Sequence, residues 1–370
     1  MLLKEVDLPM ETKKKAILLF SGGLDSILAA ELLKRIGVEV YCVTFVTPFF
    51  SPETALIMAS TYGYPIEIMP LPEKRYIPLL FDPPHGFGRH RNPCIDCHAL
   101  MVEMAGKLME ERAFDFLATG EVLDERPKSQ NLEALMKVDK ASGYAGMVLR
   151  PLSAKLLPPT VPEISGWIKR SHLLAIRGRS RKEQLKLAEA WGISLYPTPA
   201  GGCLLTDQNY SRKLSRLIEH LGEDISFRHA ELLKIGRHFW LPPKTHLIVG
   251  RNEGENCKLE GLRSEEDWLI YPQNNKGPLA FLRHYGHFFK TTTLVAAKIV
   301  ARYCKRSGAE VILTLRPPLD EAFELAIIPL SQEAVSLFRL ESAGRPQDLA
   351  SFLRDEGSAV SLGKLRSSLR

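Results

Sequence analysis

Along the first two hundred residues, short apolar runs alternate with stretches whose apolar positions recur every three or four residues. The runs Ala16–Phe20, Val38–Val46, Ile66–Met69, Phe114–Thr119 and Met147–Leu149 predict buried strands. Between them, Leu24–Ile36, Pro52–Tyr62, Ile95–Glu111 and Leu132–Lys140 predict helices. Alternation of this kind builds an α/β fold around a doubly wound parallel sheet, whose ligands sit at the carboxyl ends of the strands. A proline-rich hinge at Leu156–Pro162 leads into a further helical stretch ending near Trp191, and "YPTPAGGC" (196–203) reads as a turn-rich connector. From about Phe227 the pattern changes, which predicts a smaller α+β domain. The expected organisation is 1–215, then 227–317, then an extension over 318–370 with one amphipathic candidate, Glu333–Leu340, and a partly mobile Ser/Gly/Arg-rich tail.

Composition narrows the class. The 370 residues are 45% apolar and 25% charged, as in soluble globular proteins of more than one domain. No apolar run approaches the roughly 18 residues that a membrane span needs. The opening "MLLKEVDLPMETKKK" lacks the apolar core and cleavage site of a signal peptide, so a cytoplasmic location is expected. A net charge of +6 permits a polyanionic partner without demanding one. Six cysteines are too sparse for a disulfide scaffold. Cys42 falls in a strand pattern, and Cys257 and Cys304 have no second cysteine close in sequence.

The first strand runs directly into Ser21-Gly22-Gly23-Leu24-Asp25-Ser26 and a helix. Uncapped N–H groups at a helix start, with the helix dipole behind them, make an anion site. Gly22 and Gly23 let a phosphate approach the backbone closely, and Ser21 and Ser26 offer hydroxyls. Asp25 would repel phosphates unless a cation intervenes, which gives it a Mg²⁺-bridging role. The string is not a Walker A loop. It resembles the PP-loop of the ATP pyrophosphatase superfamily, whose members bind ATP and adenylate a carbonyl or carboxylate oxygen. The resemblance implies an adenine nucleotide alpha hydrolase-like fold. It places an adenine contact near Val43–Phe45, with Phe45 at the strand end, and a further nucleotide contact at Gly120 in "ATGE".

Cys94 and Cys97 form a C-x-x-C at a helix start, in "NPCIDCH", and Cys203 follows more than a hundred residues later. Cys97 near a helix N-terminus, with "RHRNP" beside it, is set up to form a thiolate. Together with "TGEVLDERPKSQ" (119–130), "LRPLSAKLLPPT" (149–160) and "PTPAGGCLLTD" (197–207), the three cysteines resemble those of the tRNA thiouridine synthases of the PP-loop superfamily. That resemblance covers about residues 14–215. It implies that Cys94, Cys97 and Cys203 lie beside the nucleotide. They would either hold a [4Fe–4S] cluster with one iron free for sulfide, or supply Cys97 and Cys203 as a persulfide-and-resolving pair. Three cysteines suit the cluster better, since the pair leaves Cys94 without work. A zinc site with His98 suffers from His98 directly adjoining Cys97.

A basic stretch packs Lys169, Arg170, Arg177, Arg179 and Arg181 together, and "HGFGRHR" (85–91) brings Arg89 and Arg91 close to the cysteines as a mobile loop. Beside an adenylation site these are expected tRNA contacts. "VGRNEGENCKLEGLRSEEDWLIYPQNNKGPLAFLR" (249–283) resembles the RNA-binding domain of NFACT proteins. The shared features are Gly250-Arg251-Asn252, Asn256, Asp267-Trp268, Gly277 and Arg283, with Lys276-Gly277-Pro278 in place of the usual Pro-Gly-Ser turn. Arg251 is the expected RNA contact there.

The expected function is ATP-dependent replacement of a uracil oxygen by sulfur in tRNA, with Asp25, Cys97 and Cys203 at the reaction centre. The ring position is 4 first and 2 second. The sulfur comes as sulfide or from a separate donor, because no rhodanese-like loop appears. A homodimer is left open. An ATP-dependent amidotransferase or ligase would share the loop but has no use for three placed cysteines. A non-enzymatic RNA-binding protein would have no need of Asp25 and both serines.

Overall fold

The computed structural model describes residues 13–126, 128–198, 202–273, 277–305 and 309–355. Gly201, Lys276 and the Ser/Gly/Arg-rich tail after 355 lie outside the described residues. The chain divides into two compact units between Asp207 and Gln208.

The N-terminal unit begins with β1 (Lys15–Leu19), α1 (Leu24–Arg35), β2 (Glu39–Val46), α2 (Glu53–Tyr62), β3 (Ile66–Pro70) and a single turn, α3 (Glu73–Tyr76). It continues with α4 (Cys94–Glu111), β4 (Phe116–Thr119), α5 (Leu132–Ser142), β5 (Val148–Leu149), the short α6 (Val161–Ile164) and α7 (Lys182–Ala190). All five strands pair in parallel in the order β3-β2-β1-β4-β5. Continuous apolar runs buried on both faces produce this: Ala16, Ile17 and Leu18 are fully buried, as are Phe116, Leu117 and Ala118. The order reverses direction at β1, so the crevice above its carboxyl end lies between β2 and β4. The glycine loop stands there.

The second unit begins with α8 (Gln208–Leu221), α9 (Phe227–Leu232), β6 (Arg237–Leu241), β7 (Thr245–Val249), α10 (Glu253–Gly261), β8 (Trp268–Pro272) and β9 (Ala280–His284). It ends with α11 (Lys290–Arg302), β10 (Val311–Arg316), β11 (Phe323–Ile327), α12 (Gln332–Leu337) and α13 (Leu349–Asp355). Its antiparallel sheet runs β11-β10-β8-β9-β7-β6. The α11 face, from Leu294 to Ala301, packs into a core shared with Phe239, Leu282 and Leu315. The sequence pattern set the segment from 318 apart. In the structure β11 pairs with β10, and Val335, Phe338, Leu349 and Leu353 join the same core. The apolar stripe of each piece is too short to be read alone but finds its partner across the sheet.

Five histidines of this unit are neutral in the fold. Burial pushes His238 down to about 3, His220, His229 and His284 to about 4, and His246 well below its ordinary value. His238 and His246 share a ring–ring hydrogen bond of 3.1 Å. Unfolded, each titrates near 6.5. As pH falls below about 6.5 the unfolded chain takes up protons that the folded one refuses, and stability is lost progressively towards pH 4. The thermal midpoint of the full chain should therefore fall across that window, and His238→Leu should flatten the fall. A midpoint independent of pH between 7 and 4 would contradict it.

Candidate functional site

The loop is built by close approach. Gly22 has a φ of +75°, and a Cβ there would meet the Thr54 carbonyl oxygen at 2.6 Å. Only glycine lets α2 start so near. Gly120, just past β4, sits equally tightly on the other side: a Cβ would lie 2.6 Å from the Ser26 nitrogen. Gly23 is the N-cap of α1 and supplies no side-chain cap, so the first-turn amides are left for a ligand. Ser21 is exposed. Ser26 donates its hydroxyl back to the Gly23 carbonyl at 2.8 Å. Because β1 ends opposite Val43, Thr44, Phe45 and Val46 run past it paired only with β3, which leaves one backbone edge open above the loop.

Asp25 stands against Glu125 from the "LDER" turn, with Arg181, Gln184 and Arg126 around them. Burial raises the Asp25 carboxyl, and burial together with the Asp25 charge raises Glu125 to about 7. Asp25 Oδ1 is buried and completes no hydrogen bond. Two adjoining desolvated carboxyls, Asp25 raised by burial and Glu125 by burial and by Asp25, suit a small divalent cation, which one or two carboxylates plus phosphate oxygens can hold. Sequence reading singled out neither Glu125 nor Gln184. It placed Arg181 on the RNA face, whereas here Arg181 faces the loop.

The thiols gather on the neighbouring side. Cys94 and Cys97 open α4, one turn apart. Leu204 N donates to the Phe49 carbonyl at 2.9 Å, tying the Cys203 segment to the chain just past β2, and the Phe49 ring stacks on Tyr76 at 5.6 Å. Tyr76 feels Cys97, Cys203 and Cys94 together, with Cys97 closest through a hydrogen bond. The three thiols thus converge around one buried tyrosine. Their states differ. Burial pushes Cys97 well up and Cys203 to about 11. Burial also works against the Cys94 thiolate, but the charge and hydrogen bond of His98 outweigh it and bring Cys94 below its ordinary value.

A buried relay fixes His98. Its Nδ1 lies 3.1 Å from Glu121 Oε1, and Glu121 accepts from Arg150 Nε at 2.9 Å. Arg150 in turn donates to both Asp139 oxygens at 2.9 and 2.8 Å. Burial works against the charge on His98, yet Cys94 and Glu121 raise it to about 10. The charge of the exposed Arg126 acts on Asp25 and Glu125 and also on Cys94 and Cys203, working to lower all four. Among the described residues no three His, Cys, Asp or Glu side chains are gathered to hold a single metal ion. A four-iron cluster spreads its ligand sulfurs further apart than a single ion does, and three converging thiols are the donor type it takes.

Of the expected RNA contacts, Lys169, Arg179 and Arg89 are exposed. The others are engaged locally. Arg170 donates to Glu163 at 2.6 Å, Arg177 to Asp124 at 2.6 Å, Arg91 to the Leu80 carbonyl at 3.1 Å, and Arg251 to Glu255 at 2.8 Å. The loop around Arg89 is tied down, since Asp96 accepts from the His85 backbone at 3.1 Å and lies 2.7 Å from its ring. In the second unit the quoted features are largely structural. Asn256 clasps the Gly277 carbonyl and the Leu279 amide, and buried Asp267 accepts from Arg228, Arg283 and the Ser264 amide. No described helix is long and apolar enough to cross a membrane.

Comparison with known proteins divides along the same line. Residues 11–155 match the family described as thiamine biosynthesis protein (ThiI), and residues 236–339 match the NFACT protein RNA binding domain. A tRNA-specific 2-thiouridylase MnmA 1 of Syntrophus aciditrophicus is 34% identical over 29% of this chain and 33% of its own. A tRNA sulfurtransferase of Desulfurococcus amylolyticus is 30% identical over 39% of this chain and 30% of its own. The chain thus spans about a third of the length of these relatives. A solved complex of a 4-thiouridine synthetase with RNA and ATP covers 49% of this chain and 52% of its own at 22% identity, with a TM-score of 0.32, too low to carry an argument. The two matched stretches, 11–155 and 236–339, fall one in each compact unit.

Proposed function

We propose that the protein is an ATP-dependent tRNA thiouridine synthase. The observation that carries this reading is the tight, uncapped start of α1 between Gly22 and Gly120 with the thiols beside it: the charge of Arg126 acts on Asp25 and Glu125 there and on Cys94 and Cys203 alike. Activation and sulfur delivery act on one carbon and must adjoin.

ATP lies with its phosphates on the first-turn amides of α1 and its adenine along the open edge of Thr44–Val46. Asp25 and Glu125 would hold Mg²⁺, which offsets phosphate charge. The uracil carbonyl oxygen attacks the α-phosphorus and pyrophosphate leaves. A sulfur nucleophile then adds to the uracil carbon and AMP departs with the old oxygen. Arg126 stabilises the charge that develops on that oxygen. Lys169, Arg179 and Arg89 meet the tRNA backbone, as does Arg251 in the second unit. The product is 4-thiouridine in our first reading and 2-thiouridine in the second. Sulfide or a separate donor brings the sulfur.

Cys94, Cys97 and Cys203 would hold a [4Fe–4S] cluster, whose fourth iron has no protein ligand and can bind sulfide. One other route needs no cluster: a separate persulfide donor passes its outer sulfur to one of Cys97 and Cys203, that sulfur attacks the adenylated uracil carbon as AMP leaves, and the second thiol then breaks the S–S bond, leaving a disulfide that an external thiol reductant reopens.

The test joins cells and the purified protein. Mass spectrometry of tRNA nucleosides should show one thiolated uridine lost when the gene is removed, and protein with ATP, Mg²⁺, tRNA and sulfide should release AMP and pyrophosphate. Protein purified without oxygen should be brown and lose colour in Cys94→Ala; a colourless, iron-free preparation that is active with a persulfide donor leaves the persulfide route. Unchanged nucleosides together with ammonia-dependent AMP release in the absence of RNA would place the protein among amidotransferases instead. Arg251→Glu should weaken tRNA binding and reduce its salt slope by about one. Unaltered binding would remove this side chain from the RNA interface.

A further inference from the structure

Among the described residues, four buried polar atoms that complete no hydrogen bond belong to three neighbouring side chains: Asp25 Oδ1, Arg181 Nε, and the amide nitrogen and oxygen of Gln184. Gln184 is the outlier. It lies in the first turn of α7, which packs on α1, and its side chain is fully buried. Ala188, one turn on, is buried too, so a helix packed this way calls for an apolar residue at 184. An amide buried with neither donor nor acceptor satisfied is costly, and native interiors leave few of them. Asp25 lies beside it, close enough for the two to act on each other, yet no hydrogen bond of good geometry closes between them. The amide is therefore held at the glycine loop without a partner of its own.

We infer that Gln184 is a nucleotide-positioning residue. Its amide nitrogen donates to a phosphate oxygen of ATP seated on residues 21–26, and its amide oxygen accepts from a water that enters with the nucleotide. Arg181, on the same turn, adds its charge to that phosphate. The inference rests on the reading of the loop as an ATP site and extends that site to α7, about sixty residues beyond the last contact expected from sequence.

A purely structural glutamine and a nucleotide-positioning one predict opposite stabilities. Gln184→Leu removes an unsatisfied amide, so the ligand-free protein should unfold at a higher temperature than the unaltered one. The same change should weaken equilibrium binding of ATP with Mg²⁺, measured without tRNA on the full chain, by roughly 10- to 100-fold. Gln184→Met keeps the side-chain length and guards against a packing fault in the leucine variant; it should behave alike. In turnover, KM for ATP should rise while KM for tRNA stays. If the unaltered protein binds ATP and both variants bind it within about twofold as well, or if both variants lower the ligand-free unfolding temperature, the inference is overturned. If the unaltered protein binds no ATP, the reading of the loop fails and takes the inference with it.

Discussion

Replacing Arg150 with methionine should destabilise the N-terminal unit by about 3–5 kcal/mol. Arg150 is only 2% exposed and lies between Glu121 and Asp139, themselves buried. Burial opposes its charge, but the two carboxylates outweigh burial and hold it firmly protonated. Burial would likewise raise Glu121, yet Arg150 and His98 keep it at about 2. Remove the guanidinium and Asp139 is left in the interior without its ion pair, while Glu121 keeps only His98 as countercharge, which costs far more than the intact network contributes. The sign follows from linkage. Glu121 is lowered in the fold, so its contribution is present above about pH 4.5 and lost as pH falls towards 2. The variant should lack that contribution at neutral pH. Denaturant unfolding of the full chain decides it, and a loss below about 1 kcal/mol would show that water or rearrangement satisfies the carboxylates. Glu121 loses the guanidinium that fixes it against His98 in the same variant, so reactivity of Cys94 toward a thiol reagent should change as well.

Gly120→Ala should reduce ATP-dependent pyrophosphate release about a hundredfold. The added Cβ would lie 2.6 Å from the Ser26 nitrogen, 2.7 Å from its Cα and 2.8 Å from the Asp25 carbonyl carbon. These are backbone atoms at the start of α1 and cannot rotate aside, so the whole first turn must move. A displacement of about 1 Å at a positioned phosphate costs on the order of 10² in rate. Gly261→Ala, where an added Cβ meets nothing within 4 Å, is the matched control and should leave release unchanged. If Gly120→Ala turned over within threefold of the unaltered enzyme, the contact between β4 and the loop would carry no catalytic weight.

How much of this was legible beforehand varies by element. The five strands of the parallel sheet begin and end within about two residues of their apolar runs; central β1 and β4 are buried on both faces and leave an unbroken apolar signature, whereas the edge strand β3, expected to be buried, is half-exposed at Ile68. Short elements escaped. Four residues of α3 and four of α6 hold about one turn each, too few for a period to show. Nothing local in "LRPLSAKLLPPT" (149–160) singles out Arg150, yet it is the buried centre of the relay. The basic stretch read as one RNA-facing patch, but a run of like charges does not say where each side chain turns. Arg170 and Arg177 bend to local carboxylates, and Arg181 turns to the loop.

By itself the sequence determined the parallel sheet, the anion-binding turn at its first strand and the positions of the three cysteines. Periodicity and turn chemistry act over a few residues and are written locally. Only the tertiary structure decided that Cys203 comes near Cys94 and Cys97, that Glu125 meets Asp25, that the charge of Arg126 acts on both groups and that Gln184 lies beside the loop. Those contacts join segments tens to over a hundred residues apart, and their identity is set by how helices pack on the sheet, which no local pattern encodes.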